Sequence, residues 1–206
     1  MPAIVPEPEI NPLKKIAIFA SGTGTNAQKI IDYFRPDPDI SIALIVSNKP
    51  NAGVINIALA ENIPRLIIER EKFFRGNAYT DELKSLDISL IVLAGFLWKI
   101  PPALVQAFPD AIVNIHPALL PGYGGKGMYG HFVHDAVIAS GDQQTGISIH
   151  IVDEIYDHGK NIFQATVPIV PGDNAITIAG KVQVLEHEFY PRVIDSLLKK
   201  KPMPVP

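Results

Sequence analysis

The chain is 206 residues long and 47% hydrophobic, with 18 basic against 21 acidic side chains and a formal charge of −3. That length supports one well-cored domain, and the charge balance gives no electrostatic reason for a nucleic-acid backbone or an acidic membrane as main partner. Disulfides, thiolate metal sites and a cysteine nucleophile are excluded together, because there is no cysteine.

Residues 1–13 read as an extended Pro-rich tail: MPAIVPEPEINP holds four prolines, two acids and no basic segment of the kind that opens a signal peptide. Residues 14–200 read as a single domain. The longest apolar run, Ile88 to Trp98, is too short to span a bilayer, so a cytoplasmic location is expected.

Short Val/Ile/Leu-rich runs then alternate with amphipathic stretches. Lys14–Ala20, Ile40–Ser47, Arg65–Glu69, Ile88–Phe96 and Ala111–Ile115 predict strands covered on both faces. Asn26–Phe34, Val54–Asn62, Asn77–Leu86 and Pro101–Phe108 predict the helices between them. Further on, Thr145–Val152 and Asn161–Val170 are separated by too few residues for a parallel crossover and predict an antiparallel pair. A long helix from about Ala175 to Lys199 closes the chain. Its buried face is marked by Ile178, Val182, Leu185, Phe189, Val193 and Leu197, and a second stripe of polar character by Gln183, Glu186 and Tyr190. The expected fold is α/β: a doubly wound, mostly parallel sheet of about seven strands with an antiparallel C-terminal strand pair and a long C-terminal helix.

The turn FASGTGTNAQK, Phe19 to Lys29, stands where the first strand yields to a helix. Gly22 to Ala27 fits a loose G-x-G-x-x-A dinucleotide pattern, yet the second strand ends VSNKP, without the acid that would hold a nicotinamide ribose. The Lys-Ser/Thr of a Walker loop is missing too. A helix N-terminus with permissive glycines and nearby hydroxyls suits one terminal phosphate. The alternative is a plain turn capped by Thr25 or Asn26, with no ligand.

Asn114 and His116 are two apart at the end of the fifth strand, so they point to one side of the sheet, at the carboxyl edge where such sheets bind ligands. Asp157 falls in the turn between the two antiparallel strands. No Ser, Cys or Lys occupies a nucleophile position beside them, so the trio suits transfer between two bound substrates, with amide and imidazole stabilising an oxyanion. Taken singly, each residue also fits a structural role: a strand-end histidine satisfied by backbone, an ordinary Asp-His-Gly turn. A metal site from His131, His134 and His150 lacks an acidic partner at ligand spacing, and none is expected.

ASGTGTN, LAGF, NIHPALLP, GISIHIV, EIYDHG and VQVLEHEFYP occur in this order over Lys14 to Leu198. In this the chain resembles the phosphoribosylglycinamide formyltransferases, the folate-dependent transformylases of purine synthesis. The resemblance implies that the amine of 5′-phosphoribosylglycinamide attacks the formyl carbon of 10-formyltetrahydrofolate, a co-substrate, with no metal. It implies Asn114, His116 and Asp157 as catalytic residues. Gly24, Thr25 and Asn26 would hold the ribonucleotide phosphate, and Gln183 and Glu186 its ribose and nearby groups. Leu97, Trp98, Lys99 and Ile100, with Asn114 and Asp153, Glu154, Ile155, Tyr156 and Asp157, would wrap the folate, the two segments largely through backbone. Partners would be these two small molecules, with no nucleic acid and no membrane, in a monomer or homodimer.

Three departures stand out. Leu97-Trp98 replaces the Met-Arg of better-known members, Gly76 with Arg75 beside it falls where an arginine contacts folate, and the loop GYGGKGMYGHFVH is unusually rich in glycine. Leu120-Pro121 lies in the LLP motif, where a tertiary amide permits a cis bond. Rival readings are a tRNA or amino-sugar formyltransferase, a formyltetrahydrofolate hydrolase, a non-catalytic nucleotide-binding module and a dinucleotide oxidoreductase. The extra domain of the tRNA enzyme is not expected in the few residues after the last helix.

Overall fold

The computed structural model describes residues 12–75 and 78–206. Residues 1–11 of the Pro-rich tail, and Gly76 and Asn77, lie outside the described residues. In chain order the elements are β1 (Lys14–Phe19), α1 (Thr25–Phe34), β2 (Ile40–Ser47), α2 (Gly53–Ala60), β3 (Arg65–Ile67), α3 (Arg70–Arg75), α4 (Ala78–Ser85), β4 (Ile88–Leu93), α5 (Pro102–Ala107), β5 (Ile112–His116), α6 (His131–Ser140), β6 (Gln144–Ile151), β7 (Asn161–Pro168) and α7 (Ala175–Lys199). They build one seven-stranded sheet in the order β3-β2-β1-β4-β5-β6-β7. The first five strands are parallel, and β6 runs antiparallel to both β5 and β7. The expected doubly wound sheet, antiparallel pair and long closing helix are all present.

The continuous apolar runs are explained by a sheet covered on both faces. Along β1, Ile16 and Ile18 join the core beneath α1, α2 and α7, while Ala17 and Phe19 join the core with Phe73, Leu83 and Leu104 of α3, α4 and α5. Period two thus feeds two hydrophobic layers from one strand. A smaller cluster, Ala118, Val133, Val137 and Ile178, packs α6 onto the start of α7.

The strand order reverses between β1 and β4, which opens a crevice at the carboxyl edge, where the βα turns can meet a ligand. Ser21, just past β1, ties this edge together. Its hydroxyl donates to Asn48 Oδ1 at 2.6 Å and accepts from the Leu97 N–H at 2.9 Å, which joins the loops after β1, β2 and β4.

Several boundaries differ from the sequence expectation. β4 stops at Leu93, because LAGF turns through Gly95 at φ 74°. β3 keeps only three residues, and the REKFFR segment after it winds into α3, which buries Phe73. Tyr190 does not belong to a polar stripe. It is fully buried, and its hydroxyl lies 2.9 Å from the Leu93 carbonyl, at the end of β4, and 3.1 Å from the Val113 carbonyl, within β5. A phenol serves there because its ring fills core volume while its one proton is shared between two strand acceptors.

The start of α7 is fixed by Asn174, whose side chain accepts from the N–H groups of Ile176 and Thr177 in a capping box with Thr177. Leu120-Pro121 is cis. Among the described residues no helix is long and apolar enough to cross a membrane.

Tyr190→Phe should keep the fold and cost about 1–3 kcal/mol, because two buried carbonyls lose their donor. Urea unfolding followed by circular dichroism measures it, and an unchanged midpoint would mean that the hydroxyl holds nothing.

Candidate active site

The crevice opens into a cavity of about 900 Å³. On one side stand α1 and α7. Gly24 is the N-cap of α1, at φ 84°, and provides no side-chain cap. A Cβ here would lie 2.9 Å from Val54 Cα and 2.8 Å from Ile57 Cδ1 of α2, so glycine is required by both conformation and space. Neither Thr25 nor Asn26 caps the helix. Asn26 instead donates its amide to Glu186 Oε2 at 2.9 Å, and Gln183 Nε2 reaches Thr25 Oγ1 at 3.4 Å. Among the described residues the first N–H groups of α1 therefore have no side-chain acceptor, and Asn26 Oδ1 is buried without a partner. Such an end attracts an anion. Burial pushes the Glu186 carboxyl up, and the Asn26 amide only partly offsets it.

On the other side stand Asn114, His116 and Asp157. Strand pairing sets Asn114 opposite His150 and His116 opposite Ser148. Asn114 Nδ2 lies 3.1 Å from His150 Nε2, and His150 Nδ1 lies 3.1 Å from the Ile151 carbonyl. A carbonyl only accepts, so Nδ1 carries the proton and Nε2 accepts from the Asn114 amide. Asn114 is thereby oriented, with its Oδ1 and second N–H left for a ligand.

His116 Nε2 lies 2.7 Å from the Tyr123 carbonyl, so this nitrogen donates, and Nδ1 faces Asp157 Oδ2 at 3.7 Å. Burial pushes the His116 pKa below the usual imidazole range; Asp157 and the Tyr123 carbonyl oppose this without overcoming it. Asp157 accepts from the Gly125 N–H at 2.9 Å and lies 3.7 Å from His150. Its burial favours the neutral form, but the imidazoles of His150 and His116 and the Gly125 N–H outweigh it and hold the carboxyl below its ordinary value. The result is a neutral imidazole beside an ionised carboxylate, a pair poised to take up one proton at Nδ1.

The predicted residues divide as follows. Asn26, Gln183, Glu186, Leu97, Asn114, His116, Tyr156 and Asp157 line the one cavity, and Gly24 and Thr25 immediately precede Asn26 at the helix end. The remaining folate-side residues stand outside the wall. Trp98 packs with Phe73, Phe74 and Phe96 under the Arg70 guanidinium, Lys99 lies over the Tyr156 ring, and Ile100 is buried in the core. Asp153 pairs with His158, Glu154 accepts from Gln106, and Ile155 is exposed. His150 is occupied by Asn114 and the Ile151 carbonyl, and among the described residues no group of three or more His, Asp or Glu is arranged to hold a metal.

The formyl transferase family model matches residues 14–194. The chain belongs to the formyltransferase family. Over 187 residues this formyltransferase is 38% identical to a phosphoribosylglycinamide formyltransferase of Haemophilus influenzae, covering 88% of the chain and 86% of that protein. It is 37% identical over 195 residues to a chloroplastic phosphoribosylglycinamide formyltransferase of Arabidopsis thaliana, covering 91% of the chain but only 66% of that relative's length. The crystal structure of phosphoribosylglycinamide formyltransferase from Bacillus halodurans superposes with a TM-score of 0.81 at 35% identity, covering 91% of this chain and 96% of that one.

Sequence reasoning missed the supports of this formyltransferase's cavity. His150 and Ser148 alternate correctly along β6, but only the register with β5 shows what they hold. Ser148 Oγ donates to the Ala118 carbonyl and accepts from Leu120 N–H and Gln164 Nε2, which fixes the loop after His116. The glycine-rich loop carries Tyr123, and its phenol is anchored at 2.5 Å from Asp142 Oδ2.

Gly24→Ala should lose roughly 2–4 kcal/mol of stability, from left-handed strain combined with overpacking against α2. Thermal unfolding tests this, and a wild-type melting temperature would show that the turn relaxes freely.

Proposed function

We propose that the protein transfers a formyl group from 10-formyltetrahydrofolate to the amine of 5′-phosphoribosylglycinamide. The carrying observation is that the uncapped N-terminus of α1 and the Asn114–His116–Asp157 group face the same cavity. A phosphate bound at α1, with Gln183 and Glu186 beside its ribose, leaves the far end of the ribonucleotide to reach the imidazole. The formyl donor then enters past Leu97 and Tyr156. The named relatives support this choice of acceptor over a sugar or a tRNA. Residues 14–200 are the unit proposed to carry it.

The chemistry requires no covalent enzyme intermediate. The amine nitrogen bonds to the formyl carbon, and the carbonyl electrons collect on oxygen as a tetrahedral oxyanion. The Asn114 N–H not bonded to His150 is available to donate to that oxygen. The attacking nitrogen loses its proton to His116 Nδ1, and the imidazolium so formed is held between the Tyr123 carbonyl and the Asp157 carboxylate. The proton then passes to the folate nitrogen as its bond to carbon breaks, and free tetrahydrofolate and formylated ribonucleotide result. Water is kept from the centre by burial, since His116 is only 3% exposed.

Asn114→Ala and His116→Ala should each lower kcat by roughly 10²–10³ with the fold intact. Turnover at the wild-type rate in either variant would remove that residue from the mechanism. In the wild type, kcat/KM should rise with pH through a limb below the usual imidazole pKa, because His116 must be neutral to accept the proton. Asp157 raises the proton affinity of His116, so Asp157→Asn should move that limb to lower pH and reduce kcat as well. A limb that stays in place would dismiss the pairing. A spectrophotometric assay with phosphoribosylglycinamide, an amino-sugar nucleotide or no acceptor decides the reaction: folate release with the first alone supports it, and release without acceptor indicates a hydrolase.

A further inference from the structure

His134, on α6, is not used by the mechanism above. It is 7% exposed and lines the cavity, yet its Nδ1 is sealed from solvent and has no hydrogen-bond partner among the described residues. Leaving a buried polar atom unpaired is costly, so a retained one calls for an explanation. A sealed N–H without an acceptor is worse than a sealed lone pair, so the proton belongs on Nε2. Nε2 is not enclosed and makes no hydrogen bond among the described residues. The ring therefore offers a single N–H donor from the wall of the cavity. Burial and the nearby His116 disfavour its protonation, and the adjacent Asp135 offsets this only in part.

Its position selects the ligand. α6 packs on the first turns of α7 through Val133, Val137 and Ile178. Farther along α7, Val182, Gln183 and Glu186 line the same cavity, and Gln183 and Glu186 touch Thr25 and Asn26 at the α1 N-terminus. A ligand whose phosphate sits at α1 and whose amine reaches His116 must carry its sugar through the space between. We propose that His134 binds the ribonucleotide, donating its Nε2–H from α6 to a ribose oxygen. This rests on the assignment of the phosphorylated acceptor to the α1 side.

Two variants separate binding from structure. His134→Phe keeps a buried ring and removes the unpaired nitrogen, so its melting temperature should equal or exceed that of the wild type. Its KM for phosphoribosylglycinamide should rise about tenfold, with the KM for the formyl donor unchanged. His134→Gln, which restores an N–H at similar reach, should recover most of that loss. A purely structural histidine predicts the reverse: a lower melting temperature in His134→Phe and unaltered KM values, and that result would overturn the proposal. An independent arm needs no turnover. Nitrogen-15 spectra of the imidazoles, with ribose 5-phosphate as the probe, should show His134 as the neutral Nε2–H form and move Nε2 on titration in the full chain. A spectrum that ribose 5-phosphate leaves unmoved would defeat the inference even if formyl transfer is active. A shifted Nε2 with no formyl transfer would support His134 and overturn the reaction instead.

Discussion

Asp157 sits at a backbone position that L-residues seldom adopt, φ 51°, where its carboxylate accepts from a loop N–H and lies 3.7 Å from a ring nitrogen of each of His116 and His150. Everything around the reacting centre is arranged by that charge. Through Gly125 it pins the glycine-rich loop, and the same loop presents the Tyr123 carbonyl that fixes the His116 proton on Nε2. Through His150 it borders the residue that turns Asn114. Gly124 shows how close this packing is, since a Cβ there would stand 3.1 Å from Asp157 Cβ and 2.6 Å from Leu120 Cδ2. The loop's excess of glycine is thus partly a condition for the carboxylate and the imidazole to meet a backbone segment at all.

The cavity is chemically divided. At the α1 end the field comes from backbone N–H groups and one carboxyl that burial drives toward its neutral form, a setting that tolerates a phosphate. At the β5 end it comes from an ionised carboxylate beside a neutral imidazole, a setting that takes up a proton. Two carboxyl groups in one cavity are pushed in opposite directions by what surrounds them, and this fits them to different tasks.

Much of this was legible in the sequence, for definable reasons. The apolar runs and their alternation with helices follow from a sheet buried on both faces, and Asn114 and His116 follow from a period of two at a strand end. What could not be read depended on pairing across the chain. The register that sets Asn114 against His150 is a tertiary fact, so what His150 holds could not be read from its neighbours in the chain. Tyr190 looked polar because its hydroxyl was counted and the two strand carbonyls waiting for it were not. Trp98 packs with Phe73, Phe74 and Phe96, a cluster that no local pattern around it announces. The helix α3 was missed because REKFFR is short and its one buried contact, Phe73, lies in that same cluster.

The contact between Asn26 and Glu186 joins residues 160 positions apart, and that between Thr25 and Gln183 joins residues 158 apart. One wall of the anion pocket therefore comes from the turn from β1 into α1 and the other from α7. Closing so long a loop carries an entropic cost, which the packing of α7 on the sheet must offset. Without α7 the cavity would lack the wall that carries Gln183 and Glu186, and the sheet face over Ile16 and Ile18 would lose the cover of Val182, Phe189 and Tyr190.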